Sequence, residues 1–254
     1  MTGFRGLQGR RTLITGAASG IGRATAQRLA EEGAVVGILD LDGDGASRVA
    51  DELRSVGATA LSFQVDIVDA SAVAAAVASF EAEVGPIEAL INNAGWDVAG
   101  NFVESDPEIW RKVIDINLYG PLNVTRAVLP GMIERESGRI VSLASDAGRV
   151  GSSGEAVYAA CKGGMISFSK SVAREVARHG ITLNVVSPGP SDTPLFARFD
   201  ESGKLAAALE RAIPMRRLGQ PEDFPGLIAL LISDDASFIT GQTVSVSGGL
   251  TMHG

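Results

Sequence analysis

Short apolar runs rich in β-branched residues alternate with longer stretches of helical spacing along almost the whole chain. The apolar runs predict seven strands, at Thr12–Ile14, Ala34–Leu39, Ala60–Val65, Ala89–Ile91, Arg139–Leu143, Thr182–Val186 and Thr243–Val246. The helical spacing predicts six helices, at Ile21–Glu32, Gly45–Val56, Ser71–Val84, Pro107–Glu136 with a break near Gly120–Pro121, Ala156–Arg178 and Pro221–Ser233. Runs such as ALIN and IVSLA are apolar throughout, which is typical of parallel strands covered on both faces.

This alternation predicts an α/β fold, a doubly wound parallel sheet with helices on both faces and ligands at the carboxyl ends of the strands. Residues 1–254 contain no linker or repeat that would divide them, so we expect one domain. The stretch Gly189–Pro214 is less regular, with three prolines and a short helical patch at Lys204–Arg211. It predicts a mobile substrate lid over about residues 189–216.

Composition narrows the class of protein. The net charge of −8 disfavours binding to nucleic acid or to an anionic membrane surface. Cys161 is the only cysteine, and His179 and His253 are the only histidines, so we predict no metal site. The chain starts without a signal-like apolar stretch and has no membrane-spanning apolar run, which favours a soluble, cytoplasmic protein.

The sequence TGAASGIG follows the first predicted strand and leads into the first predicted helix. Glycines allow a tight turn and a close approach to a pyrophosphate, and a helix N-terminus offers unpaired N–H groups. The alternative is a plain turn between strand and helix, but the order strand, loop, helix favours a dinucleotide site. The predicted cofactor contacts in this loop are Gly16, Ser19, Gly20, Ile21 and Gly22.

Asp40 closes the second strand, where a carboxylate can accept hydrogen bonds from both adenosine-ribose hydroxyls and would repel a 2′-phosphate. Ser19 stands where a basic residue could have met that phosphate, and no Lys or Arg directly follows Asp40. The sequence therefore predicts NAD rather than NADP. Asp42 and Asp44 in the same DLDGDG segment are interpreted as solvated turn residues.

Two more strand ends carry residues suited to the same site. Asp66 and Ile67 follow the third strand, and the Asp66 carboxylate is placed either to meet an adenine amino group or to cap the next helix. The fourth strand leads into the small residues of NNAG, which leave room for a cofactor. The cofactor contacts predicted there are Asn93, Ala94 and Gly95.

Tyr158 and Lys162 are four residues apart in a predicted helix, so their side chains share one face. A nearby ammonium group favours the phenolate, so we expect Lys162 to lower the pKa of Tyr158 and make it a general base. Ser145, at the end of the IVSLA strand, could hold a substrate oxygen beside the phenol. Asn117, at mid-helix, could hold a water behind Lys162.

Together TGAASGIG, NNAG, Asn117, Ser145, YAACK and NVVSPGPSDT resemble the short-chain dehydrogenase/reductase family over almost the whole chain. The resemblance implies a Rossmann-type sheet of seven strands, a homotetramer and the catalytic tetrad Asn117, Ser145, Tyr158 and Lys162. It also implies that Lys162 bonds the nicotinamide ribose. The residues implied around the nicotinamide are Tyr158, Lys162, Pro188, Gly189, Ser191 and Thr193.

The segments NNAGWD, ASDAGRVGSSGE and VSVSGGLTMHG are similar to those of the 2-hydroxycyclohexanecarboxyl-CoA dehydrogenases. That likeness implies a cyclic 2-hydroxyacyl-CoA or a 3-hydroxyacyl-CoA as the small-molecule substrate, oxidised to the ketone. The alternatives are free cyclic or aryl alcohols, a 3-oxoacyl-carrier-protein reductase, or a non-catalytic NAD-binding scaffold, which the complete tetrad disfavours. Six basic residues either meet CoA phosphates or form a solvated surface, namely Arg149, Arg198, Lys204, Arg211, Arg216 and Arg217.

Two residues beside these motifs are left with open roles. Trp96, directly after NNAG, could form a wall of the acyl pocket or pack within a loop. Glu155, shortly before Tyr158, could face the pocket or lie in a surface turn.

Overall fold

The computed structural model describes residues 3–198, 200 and 203–252. Its seven strands form one sheet in which every neighbouring pair is parallel, in the order β3-β2-β1-β4-β5-β6-β7. The strands are β1 Arg11–Thr15, β2 Val35–Asp40, β3 Ala60–Gln64, β4 Ala89–Asn92, β5 Gly138–Leu143, β6 Ile181–Pro188 and β7 Thr243–Val246. The strand order reverses between β1 and β4, and a crevice for ligands opens at such a switch point.

Helices cover both faces of the sheet, as the alternating pattern predicts. They are α1 Gly20–Glu31, α2 Gly43–Ser55, α3 Ala70–Val84, α4 Pro107–Ile114, α5 Gly120–Glu134, α6 Ala147–Val150, α7 Ala156–Val176, α8 Pro194–Ala197, α9 Lys204–Ala212 and α10 Pro225–Ile232. One apolar core lies under α1, α2 and α10, and a second lies under α3, α5 and α7. Consecutive strand residues such as Leu13 and Ile14 are both fully buried because each faces a different core.

The predicted helix over Pro107–Glu136 differs from the structure at its break. It is interrupted by a π-helical turn at Asp115–Tyr119, and α5 then begins at Gly120. Pro121 has no N–H to donate to the carbonyl of Asn117 four residues earlier, so regular α-helical bonding cannot pass this point. The wide turn therefore lies just before the predicted break, and it contains Asn117.

Proline also divides the last predicted helix. A 3₁₀ turn at Pro221–Asp223 precedes α10, which begins at Pro225. The predicted lid contains two short helices, α8 and α9, within its described residues. Within the described chain, no helix is long and apolar enough to cross a lipid bilayer.

Candidate active site

A cavity of about 1350 Å³ opens at the carboxyl ends of the strands. Nearly all the predicted site residues line it, namely Gly16, Ser19, Gly20, Ile21, Asp40, Asp66, Ile67, Asn93, Ala94, Gly95, Ser145, Tyr158, Lys162, Pro188, Gly189, Ser191 and Thr193. Gly22 and Asn117 are buried and do not contribute to its wall. Residues from six strand ends thus meet in one crevice, as the parallel topology requires.

The glycine loop after β1 packs tightly against the loop after β4. Gly16 has a φ of 63°, and a Cβ added there would lie 2.7 Å from the Ala94 Cα. A Cβ at Gly22 would overlap the carbonyl oxygen of Gly16, so Gly22 serves close packing of α1 rather than the cavity wall. Asn93 Nδ2 donates to the carbonyls of Thr15 and Gly16 at 2.9 and 2.8 Å, which ties the two loops together.

The N-terminus of α1 differs from those of the next three helices. Asp42, Asp69 and Asp106 each accept hydrogen bonds from first-turn N–H groups of α2, α3 and α4. Ser19, the residue before α1, makes no such side-chain cap, and it lines the cavity together with Gly20 and Ile21. The α1 terminus therefore presents backbone donors and a positive dipole end towards the cavity, which suits a pyrophosphate.

Asp40 is held by backbone donors at the end of β2. Its Oδ2 accepts from Ala18 N at 2.9 Å, and its Oδ1 accepts from Asp42 N at 3.0 Å. Each carboxylate oxygen has a second lone pair for a ligand hydroxyl. Asp42 and Asp44 are exposed, but they belong to α2 and not to a turn, because Asp42 caps the helix through a 2.9 Å bond from Gly45 N and Asp44 lies in its first turn.

Asp66 also lines the cavity, and its alternative role as a helix cap is wrong. Its Oδ1 accepts from Val68 N at 2.9 Å in a local turn. The residue that caps α3 is Asp69, which accepts from the N–H groups of Ser71 and Ala72.

Ser145, Tyr158 and Lys162 meet on one wall of the cavity. The Ser145 side chain is close enough to Tyr158 to affect the pKa of the phenol, and its hydroxyl accepts from Ala147 N at 3.1 Å. Lys162 Nζ lies 5.4 Å from the centre of the Tyr158 ring and donates to the Leu143 carbonyl at 3.0 Å. The i, i+4 spacing on α7 and the end of β5 together bring the three side chains into contact range.

The pKa of Tyr158 is shifted in the opposite direction from the one predicted from the sequence. Burial raises the pKa of Tyr158, the carboxylates of Glu155 and Asp97 raise it further, and the Ser145 hydrogen bond opposes them. Lys162 is 3% exposed, and burial lowers its own pKa to about 8. The net shift of Tyr158 is therefore upward, opposite to the one predicted from Lys162, because desolvation and two nearby carboxylates disfavour the phenolate.

Asn117 is fully buried, and its side-chain amide forms hydrogen bonds with backbone groups. Its Nδ2 donates to the Trp96 and Val113 carbonyls at 2.6 and 2.9 Å, and its Oδ1 accepts from Trp96 N at 3.3 Å. A Cβ at Gly95 would lie 3.1 Å from Asn117 Oδ1 and 3.4 Å from Lys162 Nζ. In this structure Asn117 therefore holds the loop after β4 against Lys162, and its binding of a water stays a prediction.

Asp97 is a site residue that the sequence did not reveal. It is 3% exposed, and burial raises its pKa to about 6, with a further upward contribution from Glu155. A single aspartate in a loop has no periodic signal, and its only clue was its position directly after NNAGW. Glu155, whose place in pocket or surface turn was open, lines the cavity.

Trp96 also lines the cavity, with Lys112 Nζ 4.3 Å and the Arg198 guanidinium 5.9 Å from its ring centre. It therefore contributes to the pocket wall beside a positively charged rim.

Three of the six basic residues considered for phosphate binding form bonds away from the cavity. Arg149 donates to Ser245 at 2.7 Å, Arg217 pairs with Asp223, and Arg216 donates to the carbonyl of Arg211. Arg198 contacts a cavity residue, since its guanidinium lies over the Trp96 ring. The exposed cations that line the cavity are instead Arg111 and Lys112 of α4.

Gly148 sets the distance between Ser145 and the Tyr158 helix. A Cβ there would lie 2.6 Å from Gly163 N and from the Lys162 carbonyl carbon, both backbone atoms of α7. We expect Gly148→Ala to push α6 from α7, lowering the free energy of unfolding by about 1–3 kcal/mol and turnover by about tenfold or more. Chemical unfolding and steady-state rates measure both effects.

Gly164→Ala is the matched control, because its Cβ would make an ordinary 3.5 Å contact with Leu118. A Gly148→Ala protein with the stability and turnover of this control would show that the close approach of α6 and α7 does not position Ser145.

Comparisons with known proteins agree with this geometry. A family model described as enoyl-(acyl carrier protein) reductase matches residues 16–251. The 3-oxoacyl-[acyl-carrier-protein] reductase FabG of Escherichia coli K12 is 36% identical over 245 residues, 96% of this chain and 98% of that protein.

Two solved structures of similar proteins hold different nucleotides. A 3-oxoacyl-[acyl-carrier protein] reductase from Brucella melitensis with bound NAD superposes with a TM-score of 0.90 at 38% identity, covering 97% of this chain and 92% of that one. An actinorhodin polyketide ketoreductase with NADPH superposes with a TM-score of 0.92 at 35% identity, covering 97% and 98%. Relatives with this fold therefore bind either nucleotide.

Proposed function

The chain belongs to the short-chain dehydrogenase/reductase family, and we propose that it transfers a hydride between a nicotinamide dinucleotide and the carbinol carbon of a secondary alcohol or ketone. The observation that carries this proposal is the meeting of Ser145, Tyr158 and Lys162 on the wall that also contains the glycine loop. A non-catalytic dinucleotide-binding scaffold has no need of that arrangement.

We propose NAD as the nucleotide. The uncapped N-terminus of α1 fits a pyrophosphate, and Asp40 at the end of β2 fits two ribose hydroxyls. The Lys and Arg side chains among the described residues that line the cavity are Arg111, Lys112 and Lys162, and none adjoins Asp40 in the chain. When bound, the nicotinamide supplies the hydride or accepts it.

The chain's own groups provide orientation and the proton. Ser145 and Tyr158 can both hydrogen-bond one substrate oxygen, since their side chains lie near each other and both line the cavity. In ketone reduction the Tyr158 hydroxyl donates its proton to that oxygen, and in alcohol oxidation the phenolate removes it. Lys162, held by the Leu143 carbonyl, places a positive charge beside Tyr158 and can donate to a ribose hydroxyl.

For the substrate we propose an acyl thioester with the alcohol or ketone β to the thioester carbonyl. This arrangement is common to the 3-oxoacyl substrates named for the relatives and to the cyclic 2-hydroxyacyl-CoA implied by the sequence resemblance. The cavity has an apolar wall for the acyl group, formed by Val150, Leu205, Leu209 and Leu250. Lys112 and Arg111 are cations that a carrier's phosphates can reach.

The relatives favour the 3-oxoacyl thioester over the 2-hydroxycyclohexanecarboxyl-CoA assignment, because FabG and the two solved relatives are all named as keto reductases. The cyclic substrate, the homotetramer, the mobile lid and the cytoplasmic location stay predictions. A panel of 3-oxoacyl thioesters on CoA and on acyl carrier protein, cyclic 2-oxoacyl-CoA and free cyclic ketones tests the substrate class by NADH consumption. Fast turnover of the free ketones with flat rates on every thioester would contradict it.

Asp40 offers a direct test of nucleotide choice. We expect Asp40→Ala to raise kcat/KM for NADPH by about tenfold or more, because the repulsion between a carboxylate and a 2′-phosphate disappears. The kcat/KM for NADH should fall as the ribose bonds are lost. Steady-state rates with each nucleotide at a fixed, saturating ketone give the ratio.

Asp42→Ala is the matched control, since Asp42 caps α2 and does not line the cavity. The NADH preference of that variant should equal the wild type's. A wild-type enzyme that already prefers NADPH would overturn the assignment of NAD.

A further inference from the structure

The segment that carries Ser145 is tied to the edge strand β7 by side-chain hydrogen bonds. The Ser245 hydroxyl, in β7, donates to Asp146 Oδ1 at 2.5 Å. Arg149 Nη1 donates to the same hydroxyl at 2.7 Å. Ser245 therefore lies between a cation and a carboxylate of one segment, and both bonds are of the short, charge-assisted kind. The three residues Arg149, Ser245 and Asp146 are called the β7 link below.

Backbone hydrogen bonds hold the same segment on its other sides. Asp146 N donates to the carbonyl of Pro188, the last residue of β6, at 3.0 Å. The Ser145 hydroxyl accepts from Ala147 N at 3.1 Å, so the residues around it determine its direction. Asp146, directly after Ser145, is thus bonded to β6 through its N–H and to β7 through its side chain.

Asp146 is buried at a cost to stability. It is 5% exposed, and its Oδ2 has no hydrogen-bond partner within the part of the chain that the structure describes. A buried polar atom without a donor disfavours folding, and an apolar side chain of similar size would avoid that cost. Buried polar groups of this kind can serve to fix one conformation. The conformation that Asp146 can fix is that of the segment beside Ser145.

We propose that the β7 link positions the Ser145 hydroxyl for its hydrogen bond with the substrate oxygen. The inference rests on the proposed hydride transfer, because that reaction gives Ser145 its substrate contact. Asp146 lines the cavity next to Ser145, whereas Ser245 and Arg149 do not line it. Ser245 and Arg149 therefore act through the segment after β5, as positioning residues. A misplacement of about 1 Å in such a contact can slow an enzyme by about a hundredfold.

Removal of the Ser245 hydroxyl should slow the reaction from outside the cavity. We expect Ser245→Ala to lower kcat for ketone reduction by about tenfold or more, because Ser145 is then held less precisely. The Kd for NADH, measured by its fluorescence, should stay at the wild-type value. Ser245→Thr keeps a hydroxyl on the same carbon and should restore most of the rate. Steady-state rates at saturating ketone and NADH give kcat for each variant.

Thr243→Val is the matched control in the same strand. Thr243 lies two residues before Ser245, on the same face of β7, and its buried hydroxyl has no hydrogen-bond partner among the described residues. Loss of that hydroxyl should leave kcat at the wild-type value. A Ser245→Ala enzyme as fast as Thr243→Val would overturn the proposal.

A double-mutant cycle separates positioning from general damage. In a Ser145→Ala background there is no hydroxyl to position, so Ser245→Ala should lower kcat by no more than about a further twofold. A loss as large as in the wild-type background would mean that Ser245 does not act through Ser145, and would contradict the positioning role.

Hydrogen exchange gives a readout that does not depend on turnover. We expect Ser245→Ala to speed exchange of the Asp146 and Ala147 amides by about tenfold, because the segment loses its bond to β7. Mass spectrometry of the peptide spanning the end of β5 and α6 measures this, with Thr243→Val as the unchanged control. Equal exchange in Ser245→Ala and the wild type would show that the link does not hold the segment. If the wild type reduces no ketone, the proposed function fails, while exchange still decides the link.

Discussion

Tyr158→Phe lowers kcat for ketone reduction and alcohol oxidation by about three orders of magnitude, within the range of general acid–base catalysis. The substitution removes one oxygen and leaves the ring that lines the cavity. Ser145 is then left without the phenol hydroxyl beside it, and the substrate oxygen receives no proton from Tyr158. Rates with saturating ketone and NADH, and with alcohol and NAD, measure the loss in both directions.

We expect Tyr158→Phe to slow the chemical step and to leave nucleotide binding and folding unchanged. NADH affinity, followed by its fluorescence, and the thermal midpoint should stay close to the wild type's. Tyr119→Phe is the matched control, because this tyrosine is 57% exposed on the π turn and does not line the cavity. Turnover by Tyr158→Phe at the rate of Tyr119→Phe would show that another group moves the proton.

Lys162→Met is expected to lower kcat by about a hundredfold or more while the free protein becomes no less stable. Removing Lys162 takes away the positive charge beside Tyr158 and the donor proposed for the ribose. The ammonium group is buried and donates one hydrogen bond, to the Leu143 carbonyl, so its desolvation destabilises the folded state. A methionine fills a similar volume without that cost. Chemical unfolding at several pH values, together with kcat, tests both parts.

The pH dependence has a definite sign. Burial lowers the pKa of Lys162 to about 8 in the folded protein, below the ordinary value of 10.5 that the unfolded chain has. Between these pH values the unfolded chain binds more protons, so stability rises with pH across this window by an amount on the order of 3 kcal/mol at most. Lys162→Met should lose this rise.

Lys170→Met is the matched control, because Lys170 is an exposed lysine on the same helix. Its stability should still rise with pH between about 8 and 10.5, as in the wild type. An equal rise of stability with pH in both variants would show that Lys162 is not the group responsible.

The sheet was predictable because its strands are buried on both faces. Continuous apolar runs such as ALIN are typical of strands buried in this way, and the alternation with helical spacing implies the parallel topology. Strand and helix ends differ from the predicted ones by at most two residues, since local propensity weakens at termini, except that the last helix begins four residues later, at Pro225. The π turn around Asn117 was not predictable, because Pro121 signals a lost hydrogen bond but not how the backbone absorbs it.

The site was predictable wherever its residues follow a strand. Asp40, Asn93 and Ser145 each lie at or just after a strand end, and the parallel sheet brings all three to a single crevice. The electrostatics were not predictable. The upward shift in the pKa of Tyr158 depends on burial and on Asp97, whose proximity arises from the loop after β4 and not from any sequence spacing.

The cations that line the cavity were also not predictable from the sequence. Arg111 and Lys112 of α4 line it, whereas Arg149, closer in sequence to Tyr158, and Arg217, just after the lid, bond elsewhere.

The central claim is hydride transfer to a carbonyl carbon, and the destination of the hydride tests it most directly. The alternative is an enoyl carbon, because the matching family model is described as an enoyl reductase whereas similar proteins are named as keto reductases. The enzyme would receive an equimolar mixture of a 3-oxoacyl-CoA and a 2-enoyl-CoA, with NADH deuterated at C4 of the nicotinamide. Mass spectrometry and NMR would locate the label. We predict deuterium on the carbinol carbon of a 3-hydroxyacyl product. Deuterium on the saturated β-carbon of the enoyl substrate, with the ketone unchanged, would contradict the account.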